Sequence, residues 1–223
     1  MKKKDNFWGK LKSFWHYVWH DDSFLSYILS FLFALVIIKY LIFPGLGFLL
    51  STDYPVVAIV SGSMEHKIVD NIICDKRITN IDSKSLSLNE YWQYCGNYYE
   101  TNFNLTKDDF IDFRYTNGLN IGDVMVLYGK DTEDIDVGET LVFKPLDERF
   151  FAANGPVIHR VVDKWQDENG KWHFKTKGDH NPRTYENFEE NIPEENVFGT
   201  AIFRVPYLGY FKIILVNLLG LIF

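Results

Sequence analysis

From Ser23 to Phe43 the chain reads SFLSYILSFLFALVIIKYLIF, apolar apart from three serines and Lys39. No other stretch restricts the fold so strongly. As a helix rising about 1.5 Å per residue it reaches about 31 Å, close to the ~30 Å hydrocarbon core of a bilayer. Lys39 lies near the far end, where its stem can carry the ammonium to the interface. Pro44 and Gly45 are expected to end the helix. A buried core helix is the weaker reading. A cleaved leader is weaker still, because the run is too long and no small-residue cleavage site follows closely. Residues 1–22 carry five lysines against three aspartates, which assigns them to the cytoplasm and everything beyond residue 45 to the other side. A second apolar stretch, VPYLGYFKIILVNLLGLIF (205–223), contains Lys212 and Asn217 and suits either a span or an interfacial anchor. The expected organisation is a cytoplasmic segment 1–22, a transmembrane helix 23–43, an extracytoplasmic domain 45–205 and a membrane-associated or transmembrane helix 206–223.

The formal net charge of −7 is concentrated in the outer part of the chain. An acidic body argues against a nucleic-acid partner, since phosphate binding requires a basic face. Cys74 and Cys95 are the only cysteines; on the exported side they could pair, and no histidine or further cysteine near them has metal-ligand spacing. Neither a metal nor a cofactor is expected. Asn104-Leu105-Thr106 is a glycosylation sequon.

Short β-rich runs dominate the outer part: 54–60, 122–129, 138–145, 156–165, 171–178 and 197–205. Their Val, Ile, Phe and Tyr content, alternation and bounding Gly, Pro or Asn predict antiparallel strands. DENGK (167–171) predicts a tight hairpin turn in which Asn169 and Gly170 supply positive φ. Residues 67–118 differ in texture and read as an insertion with two short helices, preceded by capping boxes at Ser87–Glu90 and Thr106–Asp109. The expected class is mainly β, built of antiparallel sheets, with an N-terminal transmembrane helix, a small helical insertion and a C-terminal apolar helix.

Three segments could carry chemistry: SGSME with Ser63, VIHRVV with His159, and TKGDHNP with Asp179. Serine attack on an amide needs a base for the hydroxyl proton, a group to orient that base, and donors for the oxyanion. His159 suits the base and Asp179 the orienting carboxylate. The Ser61 hydroxyl and the Ser63 N–H suit the oxyanion. Each signal is weak alone, because Ser-Gly-Ser is commonly a turn and a histidine in a strand is commonly structural.

Together, however, SGSMEH, IGDVMVL, VGETLVF, VIHRVV, TKGDHNP and VPYLGY, in that order behind one apolar span, resemble signal peptidase I, in its archaeal and endoplasmic-reticulum branch. The resemblance covers about 45–65 and 119–210. It implies a membrane-bound serine endopeptidase that removes signal peptides from exported preproteins, with Ser63 as nucleophile and His159 where bacterial relatives place a lysine base. Asp179 in the Gly-Asp box would complete a Ser-His-Asp arrangement. Signal peptides and the bilayer are the implied partners, and the translocation machinery is a candidate one. The implied location is a prokaryotic, in particular archaeal, plasma membrane or the reticulum membrane. Three departures stand out: His66 replaces the family's Pro and becomes a rival base by proximity, Thr184 replaces a second Asp, and the 67–118 insertion is extra. The competing classes are a related processing protease for other surface proteins and a non-catalytic membrane-tethered binding module.

Overall fold

The computed structural model describes residues 7–79, 81, 83–211, 213 and 214, and the chain divides into two compact units at Leu49/Leu50. In the first unit, helix α1 (Phe7–His20) precedes α2 (Phe24–Ile37), which continues through a π-helical turn (Ile38–Ile42) into α3 (Phe43–Leu49). The serines of the apolar run serve the joint. Ser23 caps α2 by accepting the Ser26 N–H at 3.3 Å, Ser26 Oγ donates to the carbonyl of Tyr17 at 2.7 Å, and Ser30 Oγ donates to that of Val18. They thereby supply donors to the carbonyls of the last turn of α1, of which that of Tyr17 also accepts the Asp21 N–H at 3.4 Å.

The helix does not stop at Pro44 as expected; Phe24–Leu49 is one apolar helix of 26 residues, long enough to cross a membrane. Pro44 has no N–H to offer Tyr40, and its ring would press on that carbonyl. The widened turn at Ile38–Ile42, immediately before it, takes up the mismatch, so the proline is absorbed rather than terminal.

The second unit is mainly β, as the sequence predicts. Its principal sheet is an antiparallel half-barrel in the order β1-β6-β11-β7-β8-β9-β10. These strands are β1 (Val56–Ala58), β6 (Val124–Tyr128), β7 (Thr140–Phe143), β8 (Val157–Gln166), β9 (Trp172–Lys177), β10 (Ile192–Pro193) and β11 (Val197–Val205). Six of the seven coincide with the predicted runs, β8 passing the end of its run by one residue. The β8–β9 hairpin turns at Asp167–Lys171, but of the two residues expected at positive φ only Gly170 is there, at 79°. The Asp167 carboxylate accepts the N–H groups of Asn169 and Lys171 at 2.8 and 2.9 Å, which fixes the turn with Asn169 in ordinary backbone space.

Residues 157–162 of β8 are all buried, because both faces of the strand are covered. Ile158 packs with Ile59, Met64, Met125 and Leu127 on one side, while Val157 and Val161 pack with Leu141, Phe143 and Phe174 on the other. The insertion covers Val162 with Ile68, Tyr91, Tyr99 and Phe110. It holds more than two short helices. A four-stranded sheet of β2 (Lys67–Val69), β3 (Ile72–Ile73), β4 (Lys76–Arg77) and β5 (Ser83–Ser85) precedes α4 (Leu88–Phe103) and α5 (Lys107–Asp112). These strands have two or three residues each, too few for alternation to register in sequence. Both capping boxes are present, and a Cys74–Cys95 disulfide ties the β3–β4 turn to α4. A last helix, α6 (Glu148–Asn154), bridges β7 and β8. Most of the expected C-terminal helix 206–223 lies outside the described residues.

Candidate active site

After β1 the backbone leaves the sheet, and SGSME folds into a pinned turn. Glu65 N–H closes on the Gly62 carbonyl at 3.0 Å, and the Glu65 carboxylate accepts the N–H of Ile121 at 3.0 Å. Met64 is fully buried as an apolar peg, and its carbonyl accepts the N–H of Leu119 at 2.8 Å. The Ser63 carbonyl accepts the N–H of His180 at 2.8 Å. With the backbone anchored before and after it, Ser63 is left half-buried, and its hydroxyl lies 3.0 Å from His159 Nε2 and 3.2 Å from Ser61 Oγ.

His159 is 4% exposed in the middle of β8. Its Nδ1 meets Oε2 of Glu189, a residue the sequence reading did not single out. A carboxylate can only accept there, so Nδ1 carries the proton and Nε2 keeps its lone pair toward the Ser63 hydroxyl. Glu189 is completely buried and fully partnered: Oε2 also accepts from Thr176 Oγ1 at 3.2 Å, and Oε1 accepts the Tyr185 N–H at 3.3 Å. Gly178 forms the floor. A Cβ added to it would stand 2.8 Å from His159 Nε2 and 2.8 Å from the Ser63 carbonyl, so only glycine lets the two approach.

Asp179, expected behind His159, is engaged elsewhere. Its carboxylate takes Arg160 Nε at 3.0 Å, Arg160 Nη2 at 2.6 Å, His66 Nε2 at 2.9 Å and Tyr99 OH at 3.2 Å. Strand parity is the reason. Arg160 is directly opposite Lys177 across the β8–β9 ladder. Cross-strand partners share a face and alternate residues return to it, so Asp179 falls on the Arg160 side and His159 on the other.

The buried cluster is electrostatically settled. Burial works against charge on Asp179, yet the Arg160 guanidinium and the bonds from His66 and Arg160 hold the carboxyl far below its usual range. Burial lowers His66 below the ordinary imidazole value despite the pull of Asp179, so it donates as a neutral ring stacked 3.6 Å from Tyr91. The rival base is therefore committed to Asp179. Lys177 is lowered to about 8 by burial, and its Nζ donates to the Gly178 carbonyl at 3.0 Å and Tyr99 OH at 3.2 Å.

Beside Ser63 and His159 opens an apolar groove of about 520 Å³. Ala58 and Val60 line one side, and Phe150, Pro156, Ile158 and Phe188 also line it. β1 is an edge strand, so its outer backbone groups are unpaired within the sheet. Among the described residues no cluster of His, Cys, Asp or Glu could hold a metal ion.

Fold and site together define a class: a β-rich unit with a serine–imidazole–carboxylate series beside an apolar cleft, attached to an apolar helix of membrane-crossing length. Comparison with known proteins points to one family within it. The chain is 32% identical over 98 residues to the signal peptidase complex catalytic subunit SEC11C of Homo sapiens, covering 42% of this chain and 48% of that protein. It is 26% identical over 99 residues to the signal peptidase complex catalytic subunit SEC11 of Verticillium alfalfae, covering 42% of this chain and 54% of that one. It thus has homologues among signal peptidase catalytic subunits and spans about half the length of the curated relatives it matches. No protein-family model matches the chain.

Proposed function

We propose that the chain is a membrane-bound serine endopeptidase that removes signal peptides from exported preproteins. Ser63 attacks the scissile carbonyl, and His159 accepts its proton at Nε2 and returns it to the leaving amine. Glu189, in the position first assigned to Asp179, holds the imidazole tautomer and stabilises the imidazolium. The Ser61 hydroxyl and the Ser63 N–H receive the developing oxyanion. The observation that carries this reading is the 3.0 Å contact of Ser63 Oγ with His159 Nε2, backed by a buried carboxylate on Nδ1. The apolar groove and the free edge of β1 support an extended peptide as substrate, paired by its backbone and read by its small apolar side chains. The catalytic unit would face the extracytoplasmic side, with the translocation machinery as a neighbour.

The test is incubation of the purified protein with a model preprotein, followed by mass spectrometry of the new N terminus. Cleavage at the signal-peptide junction, lost in Ser63→Ala and in His159→Ala, is the expected result. Wild-type cleavage by either variant would remove that residue from the mechanism. Cleavage confined to other surface proteins would favour the related processing protease.

A further inference from the structure

Helix α1 is apolar on one side only. At 3.6 residues per turn, Phe7, Trp8, Leu11, Phe14, Trp15 and Trp19 fall within an arc of about 140°, while Lys10, Lys12, Ser13, His16 and His20 fill the opposite arc. The helix contains no acidic residue, and Lys2, Lys3 and Lys4 precede it in the sequence. Val18, on the apolar side, is buried, and the Trp15 and Trp19 rings lean on Phe33 of α2 at 5.3 and 6.0 Å. That contact leaves most of the face open: Phe7 and Trp8 are 70% and 73% exposed, and Trp15 and Trp19 remain about half exposed at 50% and 47%. Tryptophan and phenylalanine in that number on one side form a patch that water does not tolerate.

We propose that α1 is held at the surface of an anionic lipid leaflet beside the first turns of α2, its tryptophan side seated in lipid and its lysines toward the phosphates. Three features favour lipid as the occupant. Only Asp21, Asp22 and Ser23 separate α1 from the apolar helix, so the face is tethered within a few residues of where that helix begins. Trp is the side chain that prefers the membrane–water boundary. A basic polar side opposite an aromatic apolar one is the pattern of an interfacial helix, and lysines near the surface attract anionic lipid. The proposal rests on the reading of Phe24–Leu49 as a membrane-crossing helix.

Because Cys74 and Cys95 are joined, one introduced cysteine is the chain's only free thiol. The full-length protein carries Leu11→Cys on the apolar side or Ser13→Cys on the polar side. Each variant is reconstituted in nanodiscs of phosphatidylcholine with or without phosphatidylglycerol, and labelled with a charged, membrane-impermeant maleimide. In discs containing phosphatidylglycerol, Leu11→Cys reacts roughly tenfold more slowly than Ser13→Cys, as burial in the interface requires. That protection falls about fivefold in Lys10→Gln or in Lys12→Gln alone, is gone when both lysines are removed, and is likewise diminished in phosphatidylcholine alone. Equal labelling of the two sites in both kinds of disc overturns the proposal, since the apolar side would then face water. Undiminished protection without phosphatidylglycerol, or without the lysines, overturns the anionic preference. Leu35→Cys on α2 is a separate control: its ready labelling would sink the membrane-crossing reading itself.

Discussion

At the scale of single residues, two buried carboxylates secure opposite faces of β8, and their amide variants separate the two duties. In Glu189→Gln the group on His159 Nδ1 no longer dictates the tautomer. We expect kcat for a preprotein peptide to fall about 10²–10⁴-fold, with KM and the thermal midpoint little changed. Activity within a few-fold of wild type would remove Glu189 from the mechanism. Asp179→Asn instead leaves the Arg160 charge buried and uncompensated, a cost of about 3–5 kcal/mol. We expect a lowered unfolding midpoint in a scan, while the folded fraction still cleaves within about tenfold of wild type, because Ser63, His159 and Glu189 keep their contacts. The same cluster makes stability pH-dependent. His66 is lowered in the fold, so the unfolded chain binds more protons once the pH drops below about 6.5, and stability falls with acidification. Asp179 is also lowered, so its contribution is complete above about pH 4 and is lost as the pH falls below that. The thermal midpoint should therefore decline from pH 7 to pH 5, with a shallower slope in His66→Gln; an unchanged slope would refute the assignment to His66.

At the scale of elements, Gly178 links the β9 end to both groups of the proposed Ser63–His159 pair. Gly178→Ala must displace the imidazole and the Ser63 backbone, since its methyl would lie 2.8 Å from each, besides the Asn181 amide at 2.6 Å. A misplacement of about 1 Å costs about 10²-fold in rate. The expected outcome is such a loss in kcat/KM with a near-native circular dichroism spectrum; full activity would mean the floor can yield. The strands of the main sheet were legible in the sequence because their residues alternate and Gly or Pro bounds them. The meeting of Ser63 and His159 was legible through their motifs. Asp179 was expected behind His159 because proximity along the chain outweighed strand parity, although pairing Arg160 with Lys177 places Asp179 on the far side of the sheet from His159. Glu189 was hidden in the acidic stretch YENFEENIPEEN, where composition offers no reason to prefer one carboxylate. Its contacts with His159, Thr176 and Tyr185, which depend on tertiary folding, select it. Pro44 misled for a related reason: a stop signal in water can be absorbed by a π-helical turn.

At the scale of the whole molecule, the sequon offers a direct readout of sidedness. Asn104 is exposed at the end of α4 in a left-handed conformation, φ 55°, and Thr106 caps α5 just beyond it. Translation in the presence of glycosylating microsomes should give a mass increase that endoglycosidase removes and Asn104→Gln abolishes. Failure to glycosylate, with the protein inserted, would argue against an exported second unit. The two faces of β8 carry a last implication. His159 and Arg160 are neighbours in sequence but serve different compartments of the fold, so a strand mispaired by one position would present a guanidinium where the reaction needs an imidazole. Such a molecule would keep its hydrogen-bonded sheet yet be chemically mute, and errors in assembly would be recorded as a dead fraction rather than as a slower enzyme.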